Sequence, residues 1–164
     1  MNDSIPPEPT LIYLQLRNRI LGLDPDEVGL AASADAPHVW GVLMETGYTV
    51  GLATLVSLAD GTTSLYYSTG GGMLGSGEYA PIALASKAFV VEAEDHYQRM
   101  SPTIEFPLPE VGQVKFYILT YTGTFTTDVS EKKLAAGKHA LSPLFNRAHE
   151  ILTQLRLLAE KKPK

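Results

Sequence analysis

Apolar and polar positions repeat every third or fourth residue near both ends of the chain and every second residue in parts of its middle. Over residues 11–21, Ile12, Leu16 and Ile20 recur at four-residue spacing, which predicts a helix with those three as its buried stripe. Thr10 can cap it, and Gly22 and Pro25 end it. Residues 39–45 (VWGVLME) predict a first strand. Residues 50–59 are apolar on both faces and predict a central strand. Asp60-Gly61 then predicts a two-residue type I′ turn into a third strand over 62–68, rich in the Thr and Tyr that strands favour.

Residues 69–77 hold five glycines, too many for a regular element. A crossover helix follows from 78, with Pro81 in its first turn. Its stripe is Ile82, Ala85, Phe89 and Ala93, with Ala88 beside it, and Ser101-Pro102 stops it beyond Met100. Residues 101–112 contain three prolines and predict an extended surface connection. Over 114–122, Val114, Phe116 and Ile118 face one way, and Lys115, Tyr117, Leu119 and Tyr121 the other. Gly123 permits a return strand over 124–129, and residues 130–136 a short helical turn closed by Gly137. Ser142-Pro143 opens a last helix running to about 160, with Leu144, Ala148, Ile151, Leu155 and Leu158 on one side. Its basic tail is 161–164. Residues 1–9, with three prolines, predict a loose arm.

The expected order is α-β-β-β-α-β-β-α. It implies the α+β class: a single mostly antiparallel five-stranded sheet with flanking helices, in one domain over 10–160. This scheme resembles the small profilin-like α/β domains of roadblock and longin type over about residues 11–160. The resemblance implies a non-catalytic dimerising platform and carries over no functional residue. Roadblock domains place two strands before the crossover helix and three after; here three come before and two after. The stretch ADGTTSLYYSTGGG also resembles bacterial proteins of this length and implies no function.

Composition narrows the classes. With 45% hydrophobic and 19% charged residues in 164, the chain is globular rather than disordered. Its net charge of −5 argues against a nucleic-acid binder. The absence of cysteine removes disulfides, thiolate ligands and Cys nucleophiles, and fits a cytoplasmic protein. No secretory signal is visible in MNDSIPPEPT, and no apolar run approaches the roughly 18 residues of a membrane span.

The sharpest candidate for chemistry is the glycine loop before a helix start. The backbone amides of Gly70, Gly71, Gly72, Gly75 and Gly77, with the hydroxyls of Ser68, Thr69 and Ser76, could cradle an anion. Glu78 stands where a P-loop has Lys and would repel a phosphate. His38, His96, His139 and His149 lack metal-site spacing, no GxSxG elbow is present, and Glu92, Glu94 and Asp95 read as a solvated helix face. Tyr66, Tyr67, Tyr117 and Tyr121 are candidates for an interface, or for cross-strand pairing. The expectation is a non-enzymatic protein-interaction module, homodimeric, partnering itself and another protein, without catalytic residue, metal or cofactor. The alternative is a binder, possibly enzymatic, of small anionic ligands or nucleotides through residues 69–77. A chaperone- or immunity-like protein for one dedicated partner also fits the acidity.

Overall fold

A computed structural model describes residues 6–161; residues 1–5 of the expected arm and 162–164 of the tail lie outside it. The helices are α1 (Leu11–Leu21), α2 (Ala80–Glu94), α3 (Glu131–Ala135) and α4 (Ser142–Lys161). The strands are β1 (Val39–Tyr48), β2 (Gly51–Leu58), β3 (Thr63–Tyr67), β4 (Gly72–Met73), β5 (Ser101–Thr103), β6 (Gln113–Thr120) and β7 (Gly123–Ser130). They form one open sheet in the order β4-β3-β2-β1-β6-β7-β5, every neighbouring pair antiparallel.

The sheet has seven strands, not five. The five expected strands are its body, and each edge carries one short addition. Three residues around Pro102 pair with β7, and two within the glycine loop pair with β3. Edge strands tolerate proline because one side of their backbone needs no partner. Neither segment has a hydrophobic period, so neither is visible as a strand in the sequence.

Layering follows from alternation. On one face Val42, Met44, Leu55, Leu65, Phe116 and Ile118 meet Ile82, Phe89 and Val90 of α2 and Leu144, Ile151 and Leu155 of α4. On the other face Leu43, Val56, Tyr66, Tyr117 and Leu119 meet Tyr13 and Leu21 of α1, with Phe106 and Leu108 beside them. The segment after β1 is an interior strand, β2, paired with β3 and β1, and β1 is the middle strand of the seven.

Two local expectations fail for physical reasons. Thr10 caps α1 as expected, accepting the Tyr13 amide at 3.3 Å. The buried face of α1, however, is Tyr13, Arg17 and Leu21, and Ile12 is 55% exposed. A buried arginine on this face rotates the helix by one residue from the apolar stripe. The Asp60-Gly61 connection is not type I′ either. That turn needs positive φ at both central residues, and here Gly61 has φ +94° while no non-glycine residue among the described ones, Asp60 included, has positive φ. The Leu58 amide donates to Thr62 O at 2.9 Å and the Gly61 amide to Leu58 O at 2.9 Å, a three-residue connection. The Asp60 carboxylate accepts from the Thr62 amide and holds it. At the start of α4, Ser142 lies within the helix, and its hydroxyl donates to Leu134 O of α3 at 3.0 Å.

Candidate functional site

A line of polar side chains crosses the α1 face of the sheet. Antiparallel register places Glu45 of β1 opposite Thr54 of β2 on one side and Lys115 of β6 on the other, and Lys115 opposite Asp128 of β7. Arg17 reaches down from α1. Its Nε donates to Glu45 Oε2 at 2.6 Å and its Nη2 to Glu45 Oε1 at 2.8 Å, a two-pronged pairing with both side chains buried. Nη2 also donates to the carbonyl of Phe106 at 2.9 Å. Thr54 donates its single hydroxyl proton to Glu45 Oε2 at 2.8 Å, so the contact of 2.6 Å with Tyr13 is a donation from the Tyr13 hydroxyl. Lys115 donates to Asp128 at 2.9 Å, and the Tyr117 hydroxyl to Pro107 O at 2.5 Å. The Arg17 guanidinium lies 5.6 Å from the Tyr117 ring centroid, within cation–π range.

The segment after β5 is therefore a strap across this face. It receives Arg17 and Tyr117 through its carbonyls, and Gly112 donates to Gly47 O at 2.8 Å to pin its far end. Each charge in the line faces an opposite one.

Burial shapes the titration. The Tyr13 hydroxyl is pushed up to about 12 by burial, and the Glu45 charge adds to this against the Thr54 bond and Arg17. Tyr117 is raised too, by burial first and then by the charges of Glu45 and Asp128, against Arg17. A tyrosine whose folded pKa exceeds its unfolded value binds more protons folded than unfolded, so its stabilisation is full below pH 10 and is lost as pH rises towards 12. Alkaline urea titrations will show stability falling from about pH 10, by roughly 1.4 kcal/mol per pH unit for each such group. Tyr13→Phe will cost about 1 kcal/mol at pH 8 and flatten that slope. An unchanged slope in the variant would remove Tyr13 from the account.

The eight glycine-loop candidates do not converge on one point. Gly70, Gly71 and Gly72 line a cleft of about 260 Å³ against Ile12, Leu16 and Leu74. Gly77 instead packs against the Gly61 carbonyl, beside buried Ser76 and exposed Gly75. Ser68 is buried and its hydroxyl oxygen accepts the Leu52 amide at 2.7 Å; Thr69 is exposed. The four tyrosines divide as well. Tyr66, Tyr117 and Tyr121 belong to the α1-side core, and Tyr67 is exposed.

The acids of α2 are not one solvated face. Glu94 accepts the amides of His38 and Val39 at 2.7 and 2.6 Å and anchors the start of β1. Glu92 holds the His96 ring at 2.8 Å, and Asp95 is exposed. The outer side of the α2–α4 pair carries an open groove of about 670 Å³, lined by Pro81, Leu84, Ala85, Ala88, His149 and Thr153. The His149 ring lies 4.2 Å from the Phe145 ring, tilted by 49°, and burial lowers its pKa.

Among the described residues no three His, Cys, Asp or Glu side chains are placed to hold a metal, and no helix is long and apolar enough to cross a membrane. The polar line escaped sequence reading because its members come from five elements. The available signal was Glu45 in an apolar strand and Lys115 on an apolar face of an alternating one. Compared with models of protein families, with curated proteins and with solved structures, the chain finds no match.

Proposed function

We propose that this protein is a non-enzymatic interaction module whose copies pair through the outer face of α2 and α4. One observation carries the reading: Leu84 projects from α2, 69% exposed, beside a groove bordered by Ala85 and Ala88. A two-fold interface needs a patch that complements itself. A protruding leucine beside a groove with Ala85 and Ala88 on its α2 side, and Asn146, His149, Glu150, Thr153 and Gln154 on its α4 side, has that property along α2, since each copy's Leu84 can reach the other's alanines. The charges of the α1 face support a non-catalytic reading, because Arg17, Glu45, Lys115 and Asp128 are occupied with one another. The alternative of an anion or nucleotide site has less support, since Ile12, Leu16 and Leu74 line the glycine-loop cleft.

Light scattering across a concentration series tests the pairing. The wild-type chain should be dimeric at high micromolar concentration, and Leu84→Glu should weaken the dimer by about tenfold or more, equivalent to about 1.4 kcal/mol. A wild-type chain that stays monomeric throughout would refute it.

A further inference from the structure

The two edges of the sheet are built differently. At β5, Pro102 offers no amide to a neighbour, and Arg99 and Glu105 flank the strand. Charges and proline are the usual guards of a sheet edge. At β4 the sequence GGGMLGSG over residues 70–77 has neither. Its inner side pairs with β3 through Leu65–Met73 and Tyr66–Gly72, and in the antiparallel pattern alternate backbone groups point outward from it. Gly72 has φ +144°, and a Cβ there would come within 2.0 Å of Leu65 O. Glycine at 72 is therefore required by the close approach of β4 to β3 on its inner side.

Apolar side chains gather beside this edge. Leu74 is 62% exposed, and it lines the 260 Å³ cleft with Ile12, Leu16 and Tyr67. That volume approaches the small end of ligand pockets and is ample for one large apolar side chain. Two exposed acids stand near the ends of this edge along the chain. Glu78 follows the loop, and Glu8 precedes Thr10, whose amide bonds Ser68 O at 2.8 Å; both acids are exposed, on a chain of net charge −5.

We propose that the β4 edge captures an extended segment of a partner protein by strand addition, seating one large apolar side chain in the cleft with basic residues to either side. Main-chain hydrogen bonds supply the attachment, the cleft selects the side chain, and the acids favour the basic flanks. This site is separate from the α2–α4 pairing, and either can fail alone.

The probe is an array of capped hexapeptides: alternating Val and Thr, one central Phe, Leu or Trp, and Lys at both ends. Binding is followed by amide chemical shifts of the full chain. At least one peptide should perturb residues 70–74 and 12. Its affinity should fall about tenfold with Leu74→Lys, with Glu in place of the flanking Lys, and with alternate N-methylation of the peptide backbone. Three results would overturn the proposal. One is an array that leaves these amides unmoved at millimolar peptide. Another is binding that survives N-methylation in either register, which would make the cleft a simple apolar pocket. The third is a dimer dissociated by Leu74→Lys but not by Leu84→Glu, which would make a second copy the occupant.

Discussion

Arg17→Met will destabilise the fold by roughly 3–5 kcal/mol in urea unfolding, and Glu45→Leu by about as much. Both side chains are buried, and the pair is joined by two short bonds. Removing Arg17 leaves the Glu45 carboxylate in the sheet interior with Thr54 and Lys115 as its remaining neighbours. Removing Glu45 leaves a guanidinium with only strap carbonyls to bond. The double variant Arg17→Met/Glu45→Leu should come within about 1 kcal/mol of wild type or exceed it, because the desolvation cost of both charges disappears together. Because the pair is buried, salt will alter these differences little. In the single variants amide exchange should quicken across α1 and the strap, which Arg17 ties together. Two single costs that simply add in the double variant would show that the pair does not act as a unit.

Phe89→Ala will cost about 3–5 kcal/mol by the same measurement. Phe89 is wholly buried in the core between α2, α4 and the sheet, among Ile82, Val90 and Ala93 of its own helix and Phe116 and Ile118 of β6. Truncation loses the transfer energy of the ring and leaves a cavity that three packed elements cannot close. Leu84→Ala, five residues earlier on the same helix, should stay within about 0.5 kcal/mol in the monomer because its side chain faces outward. The contrast separates the side of α2 that makes the fold from the side proposed to pair. A cost below about 1 kcal/mol for Phe89→Ala would mean that α2 is not held by this core.

Where apolar residues keep a single period, sequence and structure agree. Residues 114–120 show it: Val114, Phe116 and Ile118 face α2 and α4, and Tyr117 and Leu119 face α1. The last helix shows it too, with Leu144, Ala148, Ile151 and Leu155 buried. Helix α1 departs because hydrophobicity alone ranks Ile12 and Leu16 above Tyr13 and Arg17. A carboxylate beneath the helix reverses that ranking, and nothing local reports that Glu45 lies there. The glycine loop departs differently. Its composition permits an anion cradle, a partner-facing turn or an edge strand, and only pairing with β3 selects among them.

The chain by itself determined the α+β class, the alternation of the long strands, the Thr10 cap and the positions of the main helices. These depend on interactions between residues close in sequence. Tertiary structure decided the phase of α1, the two edge strands, the three-residue turn after β2 and the line from Thr54 to Asp128. The phase of α1, the β5 edge and the polar line depend on partners tens of residues away, and the β4 edge and the turn on contacts within eight residues; in each, pairing or a buried opposite charge outweighs the preference of single residues.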